Sequence, residues 1–250
     1  MNPGNTEAPM CEGAEATRVG VVFTTNPDCV VFDVEGRRVG YKSANDEDTR
    51  SFMFDQVVTT DNMERLHSEL LQPLPESISN GFNGALMICG ASAEMPGAPA
   101  EQRIIRKVLT DLFSRTTSPV APEVFISVSC LQFYPDGSVV DLLSLNKDAS
   151  ELITHPVLGR CSSLFSVAVE QKLHPEQVES DVCRSRLQLF GLAGGASRTD
   201  LRGVNPLVKV LDHLLNRSAP DSDSLLLSLL KDALTGNYRT YLIYCINPRG

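Results

Sequence analysis

The sequence predicts an α/β fold: a central, mixed and mostly parallel sheet with helices on both faces and a crevice at the carboxyl ends of its strands. Three observations carry this. Short apolar or alternating runs, read as strands, take turns with stretches of 3.6-residue periodicity, read as helices. The run Ala85–Cys89 (ALMIC) is apolar throughout, as a strand covered on both faces must be. Glycine-rich stretches follow two strand ends, at Gly90 and at Gly191–Gly195, where ligands bind in open α/β sheets.

Met1 to about Ala16 is rich in Gly, Pro, Glu and Asn and reads as a disordered segment, with the folded domain spanning 17–250. Arg18–Thr24 (RVGVVFT) is a buried strand. Cys29–Phe32 and Arg37–Tyr41 flank Asp33-Val34-Glu35-Gly36, a hairpin turn signature. Ser51–Val57 alternates and reads as one short strand. Asp61 or Asn62 then caps a helix that turns Met63, Leu66, Leu70, Leu71 and Leu74 inward, with a kink or break expected at Pro73 and Pro75. Glu101–Phe113 carries Ile104, Ile105, Val108, Leu109 and Leu112 on one stripe and Arg103, Arg106 and Lys107 on the other.

After the proline-bearing loop Ser118–Pro122 comes a strand, Glu123–Phe133. The turn Pro135-Asp136-Gly137 and a return over Val139–Leu143 follow it. Cys161–Gln171 and Arg184–Phe190 alternate as strands. Asn205 caps a helix with Pro206 at its first position and Leu207, Val208, Leu211, Leu214 and Leu215 inward. Asp221–Ser224 opens a last helix, Leu225–Leu234, and Arg239–Ile246 is the final strand.

Composition narrows the function. The 250-residue chain has a net charge of −9, which argues against general affinity for nucleic acid or another polyanion. No apolar run is long enough to span a bilayer, so membrane insertion is not expected. Cys11, Cys29, Cys89, Cys130, Cys161, Cys183 and Cys245 form no C-x-x-C pair; reduced cysteines in an intracellular protein fit this best. His67, His155, His174 and His213 lack metal-ligand spacing.

The window Gly90-Ala91-Ser92-Ala93-Glu94-Met95-Pro96-Gly97 has the length and the strand–loop–helix setting of the phosphate-binding loop G-x-x-x-x-G-K-S/T. Its chemistry is missing. Pro96 stands at the lysine position and Gly97 at the Mg²⁺-ligating hydroxyl. Met95 replaces the second glycine, and Glu94 puts a carboxylate where phosphate would lie. The alternative reading is a strand–helix connection whose glycines serve backbone geometry.

Over about residues 18–248 the sequence resembles a kinesin motor domain. Phe52-Met53-Phe54-Asp55-Gln56-Val57 is similar to the family's F-x-F-D-x-V-F, and Asn80-Gly81-Phe82-Asn83-Gly84 to its G-Y-N-G turn. Tyr134 with Val139–Leu143 is similar to E-I-Y-N-E-x-V-Y-D-L-L, and Ser162–Gln171 to the strand after switch I. Leu187-Gln188-Leu189-Phe190-Gly191-Leu192-Ala193-Gly194 is similar to L-x-L-V-D-L-A-G of switch II. Leu229–Asn237 resembles L-L-Q-D-S-L-G-G-N, and Tyr241–Pro248 the final strand. The resemblance implies a P-loop NTPase-like motor core, with Asp55 and Asp141 in structural roles. It also implies that the chain lacks the family's final helix and neck linker.

The departures fall at the family's chemistry. Thr24-Thr25-Asn26-Pro27 stands at the adenine motif. Pro156–Ser163 lacks the asparagine and histidine of switch I, Gly191 replaces the switch II aspartate, and Ala196 replaces its glutamate. Phosphoryl transfer depends on positioning and charge neutralisation by these groups. The expectation is a catalytically inactive kinesin-like protein, with no ATP or Mg²⁺ as cofactor. It would bind microtubules or another cytoskeletal partner in the cytoplasm, with Lys209, Arg217 and Lys231 facing tubulin. Two alternatives stand beside it: a divergent ATP-dependent motor with a replacement cation from Lys107 or Arg103, and a pseudo-motor subunit that binds another kinesin or an adaptor.

Overall fold

The structure, a computed structural model, describes residues 16–23, 30–33, 35, 37–42, 49–90, 100–116, 123–144, 161–172, 182–192, 206–216 and 224–246. Its main sheet has eight strands: β1 (Arg18–Phe23), β5 (Gln56–Thr59), β6 (Asn83–Cys89), β7 (Val124–Phe133), β8 (Val139–Asp141), β9 (Ser162–Lys172), β10 (Val182–Leu192) and β11 (Tyr238–Ile246). Their spatial order is β5-β1-β11-β6-β10-β9-β7-β8. The half from β5 to β10 is parallel, and β9, β7 and β8 continue it antiparallel. A separate three-stranded antiparallel sheet is made by β2 (Val30–Asp33), β3 (Arg38–Lys42) and β4 (Thr49–Met53).

The central strands divide their side chains between two apolar layers. On one face Leu86 and Ile88 of β6, Leu187 and Leu189 of β10, and Tyr241 and Ile243 of β11 pack with Leu66, Leu70, Leu74, Ile104, Val108 and Leu112. The helices there are α1 (Met63–Leu66), α2 (Pro73–Ser79) and α3 (Ala100–Thr116). On the other face Ala85, Met87 and Cys89, with Phe190, Leu192 and Leu242, meet Leu207, Val210, Leu226 and Leu230. Those belong to α4 (Pro206–Asn216) and α5 (Leu225–Thr235). Strands covered on both faces need apolar residues at every position, which is why Ala85–Cys89 does not alternate.

Three expectations need correction. On α4, Leu211 and Leu215 are exposed rather than inward, while Leu207 and Val210 are buried. Ser51–Val57 is not one strand. Its first part belongs to β4 of the small sheet and its last to β5 of the main sheet, with the break at Phe54 and Asp55. The Phe54 N–H donates to the Arg37 carbonyl (2.9 Å) and the Asp55 N–H to the Val19 carbonyl (2.9 Å), so adjacent residues are pulled to different sheets. The start of the helix at Met63 is also not capped as expected: Asn62 precedes α1 without a side-chain bond, and a 3₁₀ turn, Thr60–Asn62, leads in instead.

The break at the prolines is present and takes a specific form. Between α1 and α2 the chain widens into a π-helical turn, His67–Leu71, closed by the Gln72 N–H donating to the His67 carbonyl at 2.8 Å. Pro73 and Pro75 have no N–H to give, and in a regular α-helix their rings would crowd the carbonyls of Glu69 and Leu71. The widened turn relieves that crowding while Leu70, Leu71 and Leu74 stay buried.

Candidate functional site

The parallel strands β1, β11, β6 and β10 all end on one side of the sheet, and most of the segments that follow them there, where the sequence leads one to expect a crevice, lie outside the described residues. At the end of β6 Gly90 has φ +78°, and a Cβ on it would run into the backbone carbonyl of Cys245 on β11. Glycine is therefore required by close backbone approach, whatever the loop after it binds. Ala91, Ser92, Ala93, Glu94, Met95, Pro96 and Gly97 lie outside the described residues, as do Thr24–Pro27, Pro156–Arg160 and Ala196.

At the end of β10 the corresponding glycine, Gly191, pairs with Ser163 of β9. A Cβ on Gly191 would collide with the carboxyl of Glu101 and lie 2.7 Å from Ser163 Oγ. Glu101 sits in the first turn of α3. Burial holds its carboxyl above the usual range, and among the described residues no cation offsets that shift. Cys89 and Cys245 lie close by. Burial, with smaller contributions from Glu101, pushes both thiols up to about 12, which leaves them protonated at neutral pH. Burial likewise raises the Tyr244 hydroxyl to about 12.

Among the described residues this end of the sheet thus presents a half-buried acid, two inert thiols and a serine, none of them a cation that phosphate would pair with. The sequence reading missed Glu101. The available signal was a glycine at a strand end together with an acid opening the neighbouring helix, and only the tertiary fold shows that the two meet. Ser162 is buried and Ser163 half-buried, opposite Gly191.

The cations considered as replacements point elsewhere. Arg103 Nη1 donates to the Thr60 carbonyl at 3.3 Å, and Lys107 Nζ pairs with Asp111 at 3.2 Å. Both line a cavity of about 490 Å³ between α3 and the segment Met63–Leu71, together with His67. His67 Nε2 lies 2.8 Å from Asp111 Oδ2. Burial nonetheless lowers the pKa of this imidazole, with Lys107 adding to the effect and Asp111 opposing it.

No protein-family model matches the chain. Kinesin-like protein 5 of Schizosaccharomyces pombe is 24% identical to it over 265 residues, covering 79% of this chain and 30% of that protein. Kinesin-like protein KIP3 of Saccharomyces cerevisiae is 24% identical over 265 residues, covering 79% and 33%. The chain therefore spans about a third of the length of these relatives. A solved fast kinesin, described with implications for ATPase mechanism and interactions with microtubules, superposes with a TM-score of 0.71. That superposition has 19% identity and covers 93% of this chain and 86% of that one. The chain is a divergent relative of kinesins with the fold of a kinesin motor domain.

Within that motor fold, Asp55 and Asp141 serve the backbone. Asp55 Oδ2 accepts the Val19 N–H at 2.7 Å, tying the start of β5 to β1, and Asp141 Oδ1 accepts the Leu143 N–H at 2.9 Å. Lys209 on α4 and Lys231 on α5 are both exposed on the helix pair that covers the second face of the motor core. The exposed acids Asp212 and Asp232 stand on the same two helices, while Arg217 lies outside the described residues. Among the described residues no His, Cys, Asp or Glu cluster is placed to hold a metal ion, and no helix is long and apolar enough to cross a membrane.

Proposed function

We propose that this domain is a catalytically inactive kinesin-type module that docks on microtubules or another cytoskeletal partner in the cytoplasm without hydrolysing ATP. The observation that carries this reading is the meeting of Glu101 with Gly191. The family's switch II aspartate would stand at Gly191, and here an acid from the neighbouring helix fills that space. Pro96 at the lysine position removes the matching positive charge from the loop sequence. Without that lysine the loop sequence has no cation to neutralise a nucleoside triphosphate, and a carboxyl that burial holds above its usual range is a poor replacement for an ionised aspartate beside Mg²⁺. Arg103 and Lys107, engaged with Thr60 and Asp111, give the divergent-motor alternative no support.

Docking would use the exposed face of α4 and α5, with Lys209, Lys231 and Arg217 as the cationic contacts. Acids among them weaken the field, so binding should be modest and salt-sensitive. The test is co-sedimentation with microtubules at low salt, with and without ATP, beside equilibrium binding of a fluorescent ATP analogue with Mg²⁺. Nucleotide-independent pelleting, reduced several-fold by a Lys209→Glu, Lys231→Glu double substitution, is the expected result. Saturable analogue binding tighter than about 100 μM (roughly 5.5 kcal/mol of affinity) would overturn the inactive reading. Absence of pelleting would overturn the microtubule part.

A further inference from the structure

We infer that the domain self-associates through the outer edge of β7 over Val124–Ser129, which pairs antiparallel with β7 of a second copy. β7 is ten residues long, whereas its outer neighbour β8 has three and pairs only with Leu131–Phe133. Among the described residues no strand pairs with the outer edge of Val124–Ser129. The side on which each backbone group faces follows from two bonds. The Glu123 carbonyl accepts from Lys172 on β9, and the Cys130 carbonyl accepts from Leu142 on the opposite side. Alternation along the strand then turns the N–H and C=O groups of Val124, Ile126 and Val128 outward.

The exposure of the side chains supports the same edge. Phe125 is 56% exposed, Ile126 37% and Val128 47%, which is unusual for three apolar residues in a row of four. The stretch Val-Phe-Ile-Ser-Val-Ser-Cys carries no charge, proline or glycine, the devices by which proteins guard an open edge. It is also self-complementary. A two-fold axis at Ile126 sets Ile126 against its own copy and Val124 against Val128, so that β-branched side chains meet on one face. Phe125 then lies against Ser127 on the other face, where Lys172 Nζ already sits 5.9 Å from the Phe125 ring. In this register the outward backbone groups of Val124, Ile126 and Val128 pair with one another, and Leu142 of each copy, bonded to the Cys130 carbonyl, marks the end of the contact. An acidic or basic partner strand would find no charge to match, which favours a second copy.

The contact is small, so a weak dimer with a dissociation constant of about 10–100 μM is expected. Sedimentation equilibrium of the full chain, without microtubules or nucleotide, should show a monomer–dimer equilibrium in that range. Val128→Lys, at an exposed position, should abolish it and leave the circular dichroism and melting temperature unchanged. In a Cys130→Ser background, Ile126→Cys should give a disulfide-linked dimer on mild oxidation, because the two copies of residue 126 face each other. Ser127→Cys should not, because it faces Phe125. A wild-type chain that stays monomeric throughout, a Val128→Lys variant that dimerises like wild type, or equal trapping at positions 126 and 127 would each overturn the inference.

Discussion

The carboxyl of Glu101, in the first turn of α3, occupies the space into which a side chain on Gly191 of β10 would project. This fixes what residue 191 can be. Gly191→Asp, the residue expected from the family pattern, puts a second carboxylate against Glu101 and crowds Ser163. Overpacking alone costs about 1–3 kcal/mol, and the like charge adds to it. Glu101→Ala in the same chain should recover much of the loss. A double-mutant cycle by urea denaturation should therefore show a favourable coupling between the two changes, and strict additivity would contradict the contact.

The same acid makes stability depend on pH in a defined direction. Burial raises the Glu101 carboxyl in the folded state, so the folded chain holds this proton more tightly than the unfolded one. The stabilisation is fully present below the unfolded value of about 4.3 and is lost as pH rises through the raised folded value. Glu101→Gln keeps the shape and removes the titration. Its stability relative to wild type should rise from pH 4 to pH 8, measured by urea unfolding at each pH; a flat difference would exclude a raised carboxyl.

The periodic parts of this fold are legible in the sequence because burial writes them residue by residue. Leu86 and Ile88 go to one layer and Met87 and Cys89 to the other, and the Ile104–Val108–Leu112 stripe faces the sheet as its spacing predicts. What is not legible depends on contacts distant in sequence. The break at Phe54 and Asp55 is made by bonds to Arg37 and Val19. The position of Glu101 follows from the docking of α3 over the end of β10. For Gly90, its φ and its approach to Cys245 agree with the alternative reading, in which this glycine serves backbone geometry.

Gly90→Ala should therefore be costly whatever the loop does. The residue holds φ +78°, and its new Cβ would meet the Cys245 carbonyl of the adjacent strand. A left-handed backbone position costs an alanine about 1 kcal/mol, and displacing a neighbouring backbone adds about 1–3 kcal/mol. Thermal unfolding should show a clear loss. Gly137→Ala, at φ +87° with open space around it, supplies the control in which only the backbone term acts.

Cys89 and Cys245 should resist thiol reagents in the folded chain. Both are buried, and burial pushes both thiols up to about 12, so little thiolate exists at pH 8. Pulse labelling should modify them only at the rate of unfolding, and their labelling should accelerate with urea. Rapid modification of either in native buffer would contradict the burial.

Arg239 ties the start of β11 to α2, and its geometry predicts that lysine cannot replace it. Arg239 Nη1 donates to Ser77 Oγ at 2.6 Å, and Ser77 Oγ donates in turn to the Pro73 carbonyl at 2.7 Å. The guanidinium also lies over the Phe82 ring, 4.3 Å from its centroid. A planar group can bond at its edge while stacking on its face; an ammonium on a flexible stem cannot do both at once. Arg239→Lys should lose about 1–2 kcal/mol, from a bond to a charged donor and part of a cation–π contact. Phe82→Leu should lose less in an Arg239→Lys background than in wild type, because the stacking is already gone. Equal losses in the two backgrounds, measured by urea denaturation, would show that the ring and the guanidinium are not coupled.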